Sequence, residues 1–282
     1  MAYTNFIPQL WAKGLLVDRP KETVFIKLCY RGPFLGNIEN AGDRVHITGI
    51  GRPTVRDYVK ESPLTPEYLS DNSQYLVIDQ KKYFDFLIDD IDNKQAAGEI
   101  ESMQLTEARR ALAETADAYV AKQYDAACQT ITHTAVTSAN IISTIASAYT
   151  ALMKNNVPSM EEVALVVSPE IAEKIVLADI VFNTDNSKKV MGFVGQLKRF
   201  MNCTVYISNN VQKEPDPGTG HYCMMFTNKA IAFAEQIQKV EKFRPHTTFA
   251  SAVKGLHLYG AKVIKPKELV RLTLTPAPET GI

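Results

Sequence analysis

The amino-acid sequence predicts an α+β chain: a β-ribbon, then one long helix, then a mixed domain of helices and strands. Three observations predict it. Short β-rich runs fall between residues 44 and 92, around turn residues. Residues 99–127 contain no Pro or Gly and repeat their apolar side chains at three- and four-residue steps. Apolar runs of strand length then alternate with amphipathic stretches from residue 131 onward.

The first 24 residues mix Phe6, Ile7, Leu10, Trp11, Leu15, Leu16 and Val17 with polar residues, Pro8 and Pro20. Phe6, Leu10 and Trp11 share part of a helical face, but the prolines keep any helix short. This reads as an arm that needs another surface to cover its aromatic residues. Four β-rich runs follow. They are Arg44-Val-His-Ile-Thr-Gly-Ile50, Thr54-Val-Arg-Asp-Tyr-Val59, Leu76-Val-Ile78 and Tyr83-Phe-Asp-Phe-Leu-Ile88. In the last, Phe84, Phe86 and Ile88 alternate with Asp85 and Leu87 and form one apolar face. A polar loop, residues 62–72, separates the second run from the third. Strands with so little local core suggest a projecting ribbon, which is marginal in water unless it lies on something.

In the long helix Leu105, Ala108, Leu112, Ala116, Tyr119 and Val120 form the apolar stripe, and Arg110 with Glu114 forms an i,i+4 pair. At 1.5 Å per residue it makes a rod of about 40 Å. A second helix is expected from Ser138 to Asn155, with Asn155-Asn-Val-Pro158 ending it. Val163-Ala-Leu-Val-Val-Ser168 reads as a buried strand, and Pro169 opens the next helix with Ser168 as its N-cap. Met191-Gly-Phe-Val-Gly195 precedes a strand at Cys203-Thr-Val-Tyr-Ile-Ser208, and Gly192 and Gly195 suggest a tight turn. A polar loop from 209 to 220 and apolar runs at 230–234, 249–258 and 261–264 complete the chain.

Composition narrows function. Lys plus Arg is 31 and Asp plus Glu is 31. A chain that wraps nucleic acid tightly shows a basic excess, so that role is disfavoured. The charge is uneven: residues 61–128 carry 14 acidic and 6 basic side chains, and residues 239–271 carry 8 basic and 2 acidic. Such a layout sets register between copies, or is simply two solvated faces. Cys29, Cys128, Cys203 and Cys223 lie far apart without metal-ligand spacing, so they read as free thiols of a reducing compartment. No stretch approaches the roughly 20 apolar residues of a membrane span. The N-terminus lacks a basic region before an apolar run, so no signal peptide is expected.

Chemical motifs are sparse. Asp89, Asp90 and Asp92 offer three hard oxygen ligands, but not with the alternating spacing and glycine of a Ca²⁺ loop. Carboxylates between a strand and a helix are more often caps or ion-pair partners. No dinucleotide loop, phosphate loop, nucleophile elbow or zinc-protease motif occurs, and the five histidines are scattered. No catalytic residue, metal or cofactor is expected. Lys239-Val-Glu-Lys-Phe-Arg-Pro245 either touches a nucleic-acid backbone or is a strand edge protected by charge, and the second is favoured.

Several segments, taken in order, resemble one family. They are Gly36-Asn-Ile-Glu-Asn-Ala-Gly-Asp43, Gly51-Arg-Pro-Thr-Val-Arg-Asp-Tyr58, residues 79–92, Val166-Val-Ser-Pro-Glu170, residues 192–194 with Thr204-Val-Tyr-Ile-Ser-Asn-Asn210, residues 233–244, and Gly255-Leu-His-Leu-Tyr-Gly-Ala-Lys-Val263. Their order and spacing resemble the major capsid (coat) proteins of tailed double-stranded-DNA phages, in particular short-tailed-phage coat proteins, over about residues 5–270. The resemblance implies the Hong-Kong-97-type capsid fold. The N-terminal arm is then 1–27 and the extended loop 35–82. The peripheral domain is 28–34, 83–130 and 236–259, with its spine helix at about 99–127. The axial domain is 131–235 and 260–282.

It also implies self-assembly into hexamers and pentamers of an icosahedral head around DNA that is touched weakly and non-specifically. Partners would be a separate scaffolding protein, because no long extension precedes the arm, together with a portal and decoration proteins. The shell would be assembled in the host cytoplasm and sit in the virion. Candidate intersubunit contacts are Phe6, Leu10 and Trp11 of the arm, and Arg44, Arg52, Arg56 and Tyr58 of the ribbon. Asp89, Asp90 and Asp92 are the acidic candidates, and Lys242 and Arg244 the basic ones. Lys60, Lys81 and Lys82 lie near the ribbon, but no motif selects them for covalent crosslinking. The alternatives are a nanocompartment shell of the same fold, a DNA-binding virion component, and an α+β hydrolase or transferase using Asp89–Asp92.

Overall fold

A computed structural model describes residues 21–32, 44–47, 53–57, 60, 66–68, 73–89, 99–158, 161–183, 196–200, 203–215, 220–245 and 250–277. The expected tight turn at Gly192 and Gly195 lies outside them.

Two sheets organise the chain. A six-stranded mixed sheet has the order β4 (Gln129–Val136), β11 (Leu269–Pro276), β8 (His221–Thr227), β5 (Val163–Val167), β7 (Cys203–Ile207), β6 (Gln196–Phe200). A three-stranded antiparallel sheet has the order β3 (Gln80–Asp89), β10 (Ala250–Val263), β9 (Ile231–Phe243). A two-stranded ribbon, β1 (Arg44–Ile47) with β2 (Gln74–Val77), feeds into β3. Thr54-Val-Arg-Asp-Tyr-Val59 is not a strand where it is described. Residues 53–57 are irregular and exposed, because β1 takes its partner from β2 and leaves this segment no ladder to join.

The helices are α1 (Phe25–Leu28), α2 (Glu99–Ala121), α3 (Ile141–Lys154) and α4 (Pro169–Asn183). The long helix α2 tightens at its end into a 3₁₀ turn, Lys122–Ala126. Ala116 and Val120 of its apolar stripe are fully buried, and Leu105, Ala108, Leu112 and Tyr119 are half-buried. Arg110 does not pair with Glu114: it lies 2.6 Å from Glu107, one turn back, and Glu114 accepts from the Lys21 N–H. Helix α3 buries Ile141, Ile145, Ala148 and Leu152. It ends where Asn156 adopts φ 62°, with its N–H donating to the Met153 carbonyl at 3.0 Å. Ser168 Oγ accepts from the Ile171 N–H at the start of α4, and Glu170 follows in the first turn. No helix among the described residues is long and apolar enough to cross a membrane.

Strand pairing shows how the six-stranded sheet closes its core. Every residue of β5 and β8 is buried, and Leu272 and Leu274 of β11 join them. Helices α3 and α4 pack against β11 on one face. The 3₁₀ turn lies against β8 and β11 on the other, where Tyr124 stacks on Tyr222 at 4.4 Å and Arg271 sits over both rings.

The expected runs 249–258 and 261–264 form one strand. Gly260 lets it continue under the ribbon: a Cβ there would come within 2.3 Å of the Val77 carbonyl oxygen. Gly255 similarly leaves room for the Phe84 ring, which covers it at 2.4 Å from where a Cβ would stand.

Candidate self-assembly surface

The sequence put the ribbon near a surface it does not own, and the structure shows how its root is fixed. Leu76 and Ile78 are fully buried with Ala232, Ala234 and Leu258 in a small cluster separate from the main core. Asp79, between β2 and β3, accepts from the Tyr119 hydroxyl of α2 at 3.0 Å. Burial and this carboxylate push the Tyr119 hydroxyl up to about 12. Lys262 Nζ donates to the Tyr75 carbonyl, and the Gln74 side chain donates to the Ile264 carbonyl. Away from this root the ribbon turns apolar groups to solvent. Tyr75 and Val77 are about half-exposed, and Val55 and Tyr68 are 89% and 105% exposed.

Cross-strand register divides the three-stranded sheet into two faces. Phe86, Val253 and Lys242 are in register, and Lys242 Nζ lies 2.6 Å from Glu101 of α2, so this face looks toward the long helix. The opposite face carries Tyr83 beside Leu256, Asp85 beside Lys254 and Glu241, and Leu87 beside Ala252 and Phe243. Tyr83 is 78% exposed and Leu87 61%. Lys254 bridges to Glu241 at 3.2 Å and lies over the Phe243 ring at 5.1 Å. An exposed apolar patch crossed by an ion pair is a composition that protein interfaces share. The sequence reading used the Phe84 face and missed Tyr83 and Leu87. The signal was there: Tyr83 and Leu87 flank Asp85, so the second face of residues 83–88 carries two large apolar side chains as well.

A third feature joins the two sheets. Asp117 of α2 is fully buried. One oxygen accepts from the Ile26 N–H at 3.0 Å, the other from the Asn210 side chain at 2.8 Å, and the Val24 and Phe25 N–H groups also donate. Burial nevertheless outweighs these donors and raises its pKa above the ordinary carboxylate value. The segment carrying α1 continues along β9. Tyr30 exchanges backbone hydrogen bonds with Ile231 and Phe233, and Arg31 lies 3.1 Å from Glu235. His257 Nε2 stands 3.3 Å from the same Glu235. His257 first, then Arg31, holds the Glu235 carboxyl below its ordinary value against the opposing effect of burial.

The sequence candidates distribute as follows. Arg56 is exposed, 3.8 Å from Glu67. Asp89 is exposed at the end of β3, opposite Ala250. Lys242 holds Glu101, and Arg244 is exposed just beyond β9, which is an outer strand of its sheet. Arg44 lies on β1. Phe6, Leu10, Trp11, Arg52, Tyr58, Asp90 and Asp92 lie outside the described residues. Among the described residues no group of three His, Cys, Asp or Glu side chains could hold a metal ion. Cys29, Cys203 and Cys223 are buried free thiols, and Cys128 is an exposed one. Burial pushes Cys203 and Cys223 up to about 12 and Cys29 higher still, which keeps these three as inert thiols.

Residues 72–272 match the model of a family described as phage capsid protein. Among solved structures, a chain from Mycobacterium phage Che8 superposes with a TM-score of 0.73 at 30% identity, over 96% of this chain and 98% of that one. The capsid of cyanophage P-SCSP1u gives 0.77 at 18% identity, covering 96% and 94%. The capsid of Ralstonia phage GP4 gives 0.71 at 14% identity, covering 100% and 99%. No curated protein sequence matches the chain.

Proposed function

The chain belongs to the phage capsid protein family, is a major capsid protein with the Hong-Kong-97-type fold and is a component of the virion shell, and from that premise we propose that its copies close into hexamers and pentamers of an icosahedral head around double-stranded DNA. Its role is structural, and no catalytic step is assigned to it. One observation carries the proposal. The three-stranded sheet keeps Tyr83, Leu87, Phe243 and Leu256 on its outer face, and the ribbon keeps Val55, Tyr68, Tyr75 and Val77 exposed. Burying one such side chain fully is worth about 1.5–3 kcal/mol, and in a shell of many copies a neighbouring subunit is at hand to cover them in each.

The proposed division of labour follows the sequence reading. The arm is 1–27 and the extended loop 35–82. The peripheral domain is 28–34, 83–130 and 236–259, and the axial domain 131–235 and 260–282. The burial of Val24, Phe25 and Ile26 supports a fixed arm root at Asp117. Arg56, Asp89, Lys242 and Arg244 are proposed at the edges of the contact, where charges set register. A separate scaffolding protein, a portal and decoration proteins complete the assembly, which takes place in the host cytoplasm. The balanced charge supports weak, non-specific contact with the packaged DNA.

The test is light scattering and negative-stain microscopy on the purified chain, with and without a co-expressed scaffold candidate. Capsomer rings and closed shells are the expected result. A strictly monomeric protein under every condition would overturn the reading.

A further inference from the structure

Sheet edges are templates for pairing, and proteins guard them with charges, proline, bulges or covering segments. The edges of this chain differ. Outer strand β3 carries Lys81, Lys82, Asp85 and Asp89. Outer strand β9 carries Glu235, Lys239, Glu241 and Lys242 and a register shift opposite Leu256. Outer strand β6 carries Lys198 and Arg199, again with a register shift. Strand β2 of the ribbon lies against β10, with Lys262 on the Tyr75 carbonyl.

Among the described residues strand β4 has none of these protections over its first five residues. Gln129-Thr-Ile-Thr-His-Thr-Ala-Val136 holds no charged residue and no proline. It pairs in regular register with β11 from Gln129 to His133, and its only irregularity falls after that. Among the described residues β11 is its sole partner. Thr130, Thr132 and Thr134 are exposed, and β-branched side chains suit an extended strand.

We propose that the free edge of β4 is a docking edge that receives an extended backbone segment from a second copy of this chain. The inference rests on the head-forming reading above and adds where one contact is made. Two arguments select a second copy. First, β4 and β6 are the two opposite edges of one six-stranded sheet, about 24 Å apart at the usual strand spacing. A contact from the β4 edge of one subunit to the far side of the next is heterologous and repeats around a ring. Second, a bare edge left open in a protein made at shell-forming concentration is an aggregation site, and in a self-assembling chain the required cover is present in equal number. Main-chain hydrogen bonds supply the affinity, as in other strand additions.

The test is the double variant Thr130→Lys, Thr132→Lys, compared with wild type under conditions where wild type forms shells. Both side chains are exposed in the subunit, but Thr130 stands opposite Arg271, so the urea midpoint is measured alongside and shell yield is compared under conditions where both proteins are fully folded. The lysines place charge where the added strand lies, and shell yield should fall at least tenfold. Equal shell yield from variant and wild type would sink this inference alone. No shells from wild type, with or without scaffold, would sink the head-forming reading and this inference with it. If the variant fails to fold, hydrogen exchange on wild type decides. The outward amides of 129–133 should slow at least tenfold between free subunit and shell, and unchanged exchange there overturns the docking edge.

Discussion

The six-stranded sheet and the three-stranded sheet sit at opposite ends of the same problem. In the first, β5 and β8 are buried throughout, and helices cover one face while the 3₁₀ turn lies against the other. The second has the long helix on one face and leaves Tyr83, Leu87, Phe243 and Leu256 uncovered on the other. One region spends its apolar surface on its own stability, and the other leaves it exposed in the isolated subunit, where the proposed contacts between copies would cover it. Burial, not residue type, separates them: Phe226 and Phe243 are the same side chain at 0% and 41% exposure.

The strongest way to break this comparison is a pair of truncations. Phe226→Ala empties a fully buried site and should cost about 3–5 kcal/mol. Leu87→Ala removes a side chain that is 61% exposed, and its cost to the subunit should stay within about 0.5 kcal/mol. Urea unfolding measures both. Shell yield should respond in the reverse sense for Leu87→Ala, falling while the fold holds. A Leu87→Ala subunit as destabilised as Phe226→Ala would show that the open face belongs to the subunit core.

The next test strikes the joint between the two regions. Asp117 draws together α1, α2 and the loop holding Asn210. Asp117→Ala leaves three backbone N–H groups and one amide without their acceptor, and each buried orphan costs about 1–3 kcal/mol less whatever water recovers. A loss of about 3 kcal/mol in urea unfolding is expected, together with faster hydrogen exchange at residues 24–26. Asp117→Asn keeps one acceptor and should cost less. Unchanged exchange at 24–26 in the alanine variant would mean that packing of Phe25, not the carboxylate, holds the segment.

This joint marks where sequence reading stops. The helices were legible because their burial has a period of its own: Ile141, Ile145, Ala148 and Leu152 recur on one face, and Ser168 with Pro169 announces α4. Strand β8 was not seen, although it lies inside the larger sheet. Its His-Tyr-Cys-Met-Met-Phe-Thr run is buried on both faces, so it shows no alternation. Thr54-Val-Arg-Asp-Tyr-Val59 shows the opposite failure, with β-forming residues that lack a neighbour to pair with where they are described. Asp117 looked like any polar position on a helix. Its role depends on Ile26, 91 residues away, and on Asn210, 93 residues away. The open sheet face was half visible, since Tyr83 and Leu87 break the polar alternation that a solvated face requires.

The smallest effect separates the regions by acid. Glu235, on the three-stranded sheet, has its pKa lowered by His257 and Arg31. A carboxylate with a lowered folded pKa contributes stability that is fully present above its unfolded pKa, about 4.3, and that is lost as pH falls through the folded value. Asp117 runs the other way: its raised pKa gives a contribution present below its unfolded pKa, about 3.9, and lost as pH rises through the folded value. Between pH 6 and pH 3.5 the Glu235 cluster should therefore weaken while protonation at Asp117 relieves a buried charge. Glu235→Gln removes the first effect and leaves the second, so its unfolding free energy from urea titration should fall less on acidification than that of wild type, by about 1 kcal/mol or less. Parallel curves for the two proteins would mean that the Arg31–Glu235–His257 contacts carry no net stability. The root of the three-stranded sheet would then be held by Tyr30, Phe233 and Tyr259 packing alone.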